Sequence, residues 1–196
     1  LSIPATVALF VASNSIVSAL FGYGSFSEAS VQNSALALFY FAFGLPAFAL
    51  IKVFSSFFFA RHNTKTPFYI SLVSVLLNVI ISVTLFQKLG FIIIPIATSI
   101  SSWLNAIALY IFSRKRKFFI FNDIFIYRFP RILFSSLITG LIFYFLLDLL
   151  NFKLIYSESL KLVYLLLCIS ITLICYLIIS IFTKAFKMSD IKLNYK

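Results

Sequence analysis

Six continuous apolar runs, at about 2–21, 31–59, 67–87, 91–113, 130–150 and 160–182, leave this chain few ways to fold. The runs are unbroken rather than alternating, so they do not read as strands of a membrane barrel. At 1.5 Å per residue, about 20 helical residues cross the ~30 Å hydrocarbon core of a bilayer. Five of the runs have that length, and the run at 31–59 can cross at a tilt. The predicted fold class is all-α, a polytopic membrane bundle of six transmembrane helices. A soluble fold would have to cover its surface with 21 charged residues, 11% of the chain, where soluble domains carry about 25%.

The loops between the runs carry charge alternately. Arg61 and Lys65 follow the second run, Arg114, Lys115, Arg116, Lys117, Arg128 and Arg131 follow the fourth, and Lys184, Lys187, Lys192 and Lys196 follow the sixth. The other loops hold only Lys88, Lys153 and Lys161. The positive-inside rule puts the richer side, and with it both ends of the chain, in the cytoplasm. The net charge of +11 is therefore mostly topological. The basic, aromatic stretch 114–131 could in principle serve nucleic acid. Wedged between two spans, it reads instead as an interfacial segment against anionic lipid, with no nucleic-acid partner. Leu1 already belongs to an apolar run without a basic region before it, which fits the C-terminal part of a longer protein better than a signal peptide. The expected organisation is four spans over 1–113, a basic interfacial cytoplasmic linker over 114–129, two spans over 130–182 and a cytoplasmic tail over 183–196.

Polar residues inside spans are expensive and so informative. Lys52 lies about 12 Å from the cytoplasmic end of its run. It either snorkels to that interface or faces a wet internal cavity. Pro46, six residues earlier, either kinks its helix passively or breaks it as transporters do. Asn78 and Ser82 share a face at i and i+4, and Thr98, Ser99, Ser101, Ser102 and Asn105 line the next run. Such groups make interhelical hydrogen bonds or offer neutral oxygens to a monovalent cation. The turn at 60–67 joins Arg61 and Lys65 to Pro67, which opens the third run. Its charges either enforce orientation or form a cytoplasmic gate. His62 reads as a solvated loop residue. Cys168 and Cys175 lie seven residues apart on one helix, too far for a disulfide, and pack as apolar side chains. No hydrolase or metalloprotease motif and no metal-spaced cluster is present, so no enzyme and no firm metal site is expected.

The pattern Gly44-Leu45-Pro46-Ala47, Lys52-Val53, Phe58-Phe59-Ala60-Arg61 and Thr64-Lys65-Thr66-Pro67 resembles the MurJ (MviN) family of bacterial lipid II flippases. The outer loop from Leu20 to Phe26 and the element Ala97-Thr98-Ser99 with Trp103 and Asn105 extend the resemblance over about 1–113. That family belongs to the MOP exporter superfamily, with fourteen spans in two lobes. The resemblance implies that this chain is the last six spans of an exporter of undecaprenyl-linked peptidoglycan precursor. It would work by alternating access in the inner membrane, for cell wall biogenesis and cell shape, together with a missing N-terminal lobe. It also implies a lipid-tail groove in the last two spans. It implies sodium as a coupling ion near Asn78, Ser82 and Thr98, while the residues themselves put Lys52 and Pro46 at a candidate substrate cavity and Arg61, Lys65 and Pro67 at a candidate gate. The pattern departs at Ser82, where an acid is expected, and at His62-Asn63, where an acid follows the arginine. The alternatives are another MOP-type exporter, of polysaccharide-lipids or drugs, or a non-transporting membrane scaffold.

Overall fold

The computed structural model describes residues 2–116, 118, 123–151, 154 and 160–185. Its helices in chain order are α1 (Ser2–Phe21), α2 (Glu28–Ala42), α3 (Leu45–Phe59), α4 (Lys65–Leu89), α5 (Ile93–Lys115), α6 (Asp123–Leu149) and α7 (Lys161–Phe182). A single 3-10 turn, Gly90–Ile92, joins α4 to α5. The stretch Lys65–Lys115 is apolar over 51 residues. As one helix it would be about 77 Å long, more than twice a bilayer core. The turn at Gly90, with φ +61°, folds it into two crossings. Counting α2 with α3 as one crossing, the helices supply the six expected spans.

The run at 31–59 is not one helix. The amide of Gly44 turns back to Phe41 O at 2.9 Å, three residues away rather than four. Pro46 has no N–H to give Ala42. The helix stops at Ala42 and restarts at Leu45, with Pro46 in the first turn of α3, where a missing N–H is harmless. A second boundary also shifts. Pro130 was expected to open the fifth span, but α6 begins at Asp123 and carries Pro130 inside it. The loop expected at 22–30 is shorter, because α2 starts at Glu28, an acid favoured in a first helical turn. The tail residues Lys187, Lys192 and Lys196, like Lys117 and Lys153, lie outside the described residues.

The helices form two compact units. One holds α1, α2 as far as Ala35, α6 and α7. Its core joins Ala12 and Ala19 of α1 to Phe143 and Leu147 of α6 and Leu165 and Cys168 of α7. Small residues let the backbones approach: a Cβ at Gly140 of α6 would overlap Val7 Cγ1 of α1. The other unit holds the rest of α2 with α3, α4 and α5. Here Phe54 and Phe58 of α3 pack on Leu109 of α5.

Polarity is inverted relative to a soluble protein. Ser74, Ser101, Ser102, Asn105, Ser113 and Ser135 are buried, while Val75, Ile80 and Val83 of α4 and Leu141, Phe145 and Phe182 elsewhere are more than half exposed. Water would reverse that arrangement. A bilayer selects it, because polar groups must find partners inside the protein. The protein is a multi-pass membrane protein.

Candidate functional site

The most connected polar site lies between α4 and α5. Asn78 Nδ2 donates to Thr98 Oγ1 at 3.1 Å and to Ser101 Oγ at 3.2 Å. Those hydroxyls donate in turn to their own helix, Thr98 to Ile94 O and Ser101 to Thr98 O. Ser82 Oγ closes the set by donating to Asn78 Oδ1 at 3.4 Å. Two turns along the hairpin, Asn105 Nδ2 reaches Ser71 Oγ at 3.4 Å. Asn78, Ser82 and Thr98 are thus brought together by the hydrogen bonds that such groups usually make within a bundle. In this arrangement the polar atoms of Asn78, Ser82 and Thr98 are engaged in hydrogen bonds with one another and with Ile94 O.

The break between α2 and α3 is served by α5. Ser99 Oγ donates to Tyr40 O at 2.7 Å, and Trp103 Nε1 donates to Phe43 O at 2.9 Å. Tyr40 O has lost the Gly44 amide that a continuous helix would give it. Gly44 has ordinary helical backbone angles, so glycine serves space here. A Cβ would stand 3.2 Å from both Ser99 Oγ and a ring carbon of Phe48. Beside the break, Tyr40, Phe43, Ile100, Trp103 and Leu104 line an apolar groove of about 400 Å³. Pro46 is half-buried in α3, and Lys52 is exposed on it, on a different face from Ala47, Phe54 and Phe58. Neither belongs to the Asn78 cluster.

The turn between α3 and α4 has its own chemistry. His62 takes a left-handed φ of +55°, a region in which histidine is enriched among non-glycine residues. His62 N bonds Phe59 O at 3.0 Å and Asn63 N bonds Phe58 O at 3.0 Å, the paired closure of a Schellman motif. Asn63 Oδ1 then accepts from the Thr66 amide at 3.2 Å, leading into α4. The single histidine is a helix-ending residue. Arg61 donates to Phe57 O at 3.1 Å and lies 4.4 Å from the centre of the Phe118 ring. Lys65 is exposed, and Pro67 is buried in the first turn of α4.

The first unit contains an apolar cavity of about 550 Å³ among α1, α6 and α7. Ser136, Thr139 and Thr172 face it, yet each donates to its own helix, to Ile132 O, Ser135 O and Cys168 O at 2.6–2.7 Å. With those protons spent, the wall presents mostly methyls and rings, including Ala8, Phe143 and Leu173. Sequence reasoning also missed Lys161. It was read as an ordinary charge of the outer link, but its side chain is fully buried. Nζ donates to Gly22 O at 2.6 Å and stands 4.2 Å from the Tyr23 ring centre. No local pattern betrays this contact, because Gly22 is 139 residues away in sequence.

These features can be set beside known proteins. The family model described as "Lipid II flippase MurJ" matches residues 1–165. The chain belongs to the lipid II flippase MurJ family. A probable lipid II flippase MurJ from Rickettsia prowazekii (strain Madrid E) is 38% identical over 116 residues, 59% of this chain and 23% of that protein. One from Rhizobium meliloti (strain 1021) is 42% identical over 110 residues, 56% and 21%. One from Rhizobium tropici is 34% identical over 142 residues, 71% and 26%. A solved structure, lipid II flippase MurJ in an inward closed conformation, superposes with a TM-score of 0.70 at 27% identity, over 93% of this chain and 36% of that one. The chain thus spans about a quarter of the length of the curated MurJ relatives it matches. The family match extends past the quoted motifs, through α5 and α6 to the first turn of α7.

Proposed function

We propose that this chain forms the C-terminal part of a lipid II flippase, exporting undecaprenyl-linked peptidoglycan precursor across the bacterial inner membrane by alternating access. The observation that carries the reading is the MurJ match over residues 1–165. The cavity among α1, α6 and α7 supports it further. Its volume is in the range of ligand sites, and its mostly apolar wall, with the Ser136, Thr139 and Thr172 hydroxyls donating within their own helices, suits an isoprenoid tail. Lys52, exposed on α3, is the cation offered to the anionic head group, with further contacts supplied by the rest of the full-length protein. The exposed basic residues Arg61, Lys65, Arg114 and Arg116 form the cytoplasmic face and meet anionic lipid there, so both ends of this portion are cytoplasmic.

The test uses the full-length protein in a strain depleted of its own flippase. Lys52→Met should abolish growth rescue while membrane expression stays normal, and Lys52→Arg should retain part of it. Rescue by Lys52→Met at the wild-type rate would leave Lys52 a snorkelling anchor. Failure of the unaltered protein to rescue, at normal expression, would refute the flippase reading.

A further inference from the structure

We propose that Ser99 and Trp103 are positioning residues that hold the broken crossing α2–α3 in its bent form, and so set where α3 presents Lys52. The proposal rests on the flippase reading for its purpose, but its geometry stands alone. A helix interrupted inside a membrane exposes carbonyls that lipid cannot satisfy. In this chain the carbonyls of Tyr40 and Phe43 are met by two donors four residues apart on one face of α5, at 2.7 and 2.9 Å. Gly44 is small enough for Ser99 to come that close. The clamp spans nearly sixty residues of sequence, so it is tertiary and releasable rather than a local cap.

The apolar groove beside it gives Phe43 and Trp103 room to move when the angle changes. Transporters place broken helices where one part of the fold must rock against another. Lys52 lies eight residues beyond Gly44, about 12 Å along α3. A change of angle at the break moves α3, and Lys52 with it, against the packing of Phe54 and Phe58 on Leu109 of α5. Ser99 and Trp103 touch no substrate. They act through the direction of α3.

The experiment uses the full-length protein with Cys168 and Cys175 replaced. Trp103→Phe keeps a ring and deletes the N–H. Ser99→Ala deletes one oxygen from a small side chain and carries the test alone if Trp103→Phe does not accumulate. Spin labels at positions 36 and 56 straddle the break and read its angle. Lys52→Cys, in samples separate from those assayed for export, reads the placement of α3 through its rate of modification by a cationic thiosulfonate. Each variant should broaden the 36–56 distance distribution or add a second population, change labelling at position 52 by threefold or more, and slow precursor export. A lower melting temperature with unchanged distances and labelling would make the two donors merely structural and overturn the proposal. So would wild-type distances with wild-type export. If the unaltered protein exports nothing, the flippase reading fails, while distances and labelling still decide the clamp.

Discussion

The contact between Gly140 and Val7 makes the sharpest stability prediction, because two opposing effects of known size meet at one atom. Adding a methyl at Gly140 raises helix propensity by roughly 0.8–1.0 kcal/mol. The same methyl would overlap Val7 Cγ1, and overpacking of that kind typically costs about 1–3 kcal/mol. Gly140→Ala should therefore be net destabilising by roughly 0–2 kcal/mol. Removing the obstacle reverses the sign. In a Val7→Ala background the overlap is gone, and Gly140→Ala should stabilise by about 1 kcal/mol from propensity alone. The coupling between the two changes is then roughly 1–3 kcal/mol. Reversible unfolding of the full-length protein in mixed micelles, for all four members of the cycle, measures it. If Gly140→Ala stabilises equally in both backgrounds, α1 and α6 do not touch there and the packing of this unit is wrongly described.

Two further predictions concern buried polar groups. Ser82→Asp sets a carboxylate opposite Asn78. An acid in a span should destabilise by about 2.5–3.5 kcal/mol, and sodium at a hundred times its dissociation constant should restore about 2.7 kcal/mol. Melting curves in sodium against choline chloride read this, and an equal loss in both salts would mean the seam cannot hold the ion even when charged. Lys161→Met removes a charge-assisted hydrogen bond worth about 1.5–3 kcal/mol in the folded protein, so amide exchange in the loop 22–27 should rise tenfold or more. Exchange at the wild-type rate would show that Gly22 and Tyr23 are held by other contacts.

The crossings were legible because hydropathy acts on length alone, and the 3.6-residue period put Asn78 and Ser82 on one face before any partner was visible. The break at Phe43 and Gly44 was not legible. Pro46 marks a disturbance, but hydropathy cannot say whether a helix bends or stops. What decides is whether the orphaned carbonyls find donors, and those donors, Ser99 and Trp103, come from another crossing. Lys161 failed for the same reason. Its position at the start of a span implies a solvated interfacial charge, and only the tertiary approach of Gly22 and Tyr23 buries it. Pro130 misled in the opposite direction. A proline at the head of an apolar run reads as a first-turn residue, yet the preceding polar and aromatic residues are helical from Asp123, so the proline sits within α6.

The hydrogen bonds also say which parts of the second unit move together. Most buried hydroxyls in the spans return their proton to a carbonyl three or four residues back, as Ser74, Ser102 and Ser113 do, and so tie no helix to another. The side-chain hydrogen bonds seen to cross between helices among the described residues of this unit meet on α5. Thr98, Ser101 and Asn105 face α4. Ser99 and Trp103, about 150° further round the helix, face the α2–α3 break. The tie to α4 is a ladder along two helices joined by a three-residue turn, and bending it would strand several polar groups at once. The tie to α2–α3 is two bonds at a point where the backbone ladder is already open. Motion within this unit should therefore leave the α4–α5 hairpin intact and fall at Phe43–Gly44.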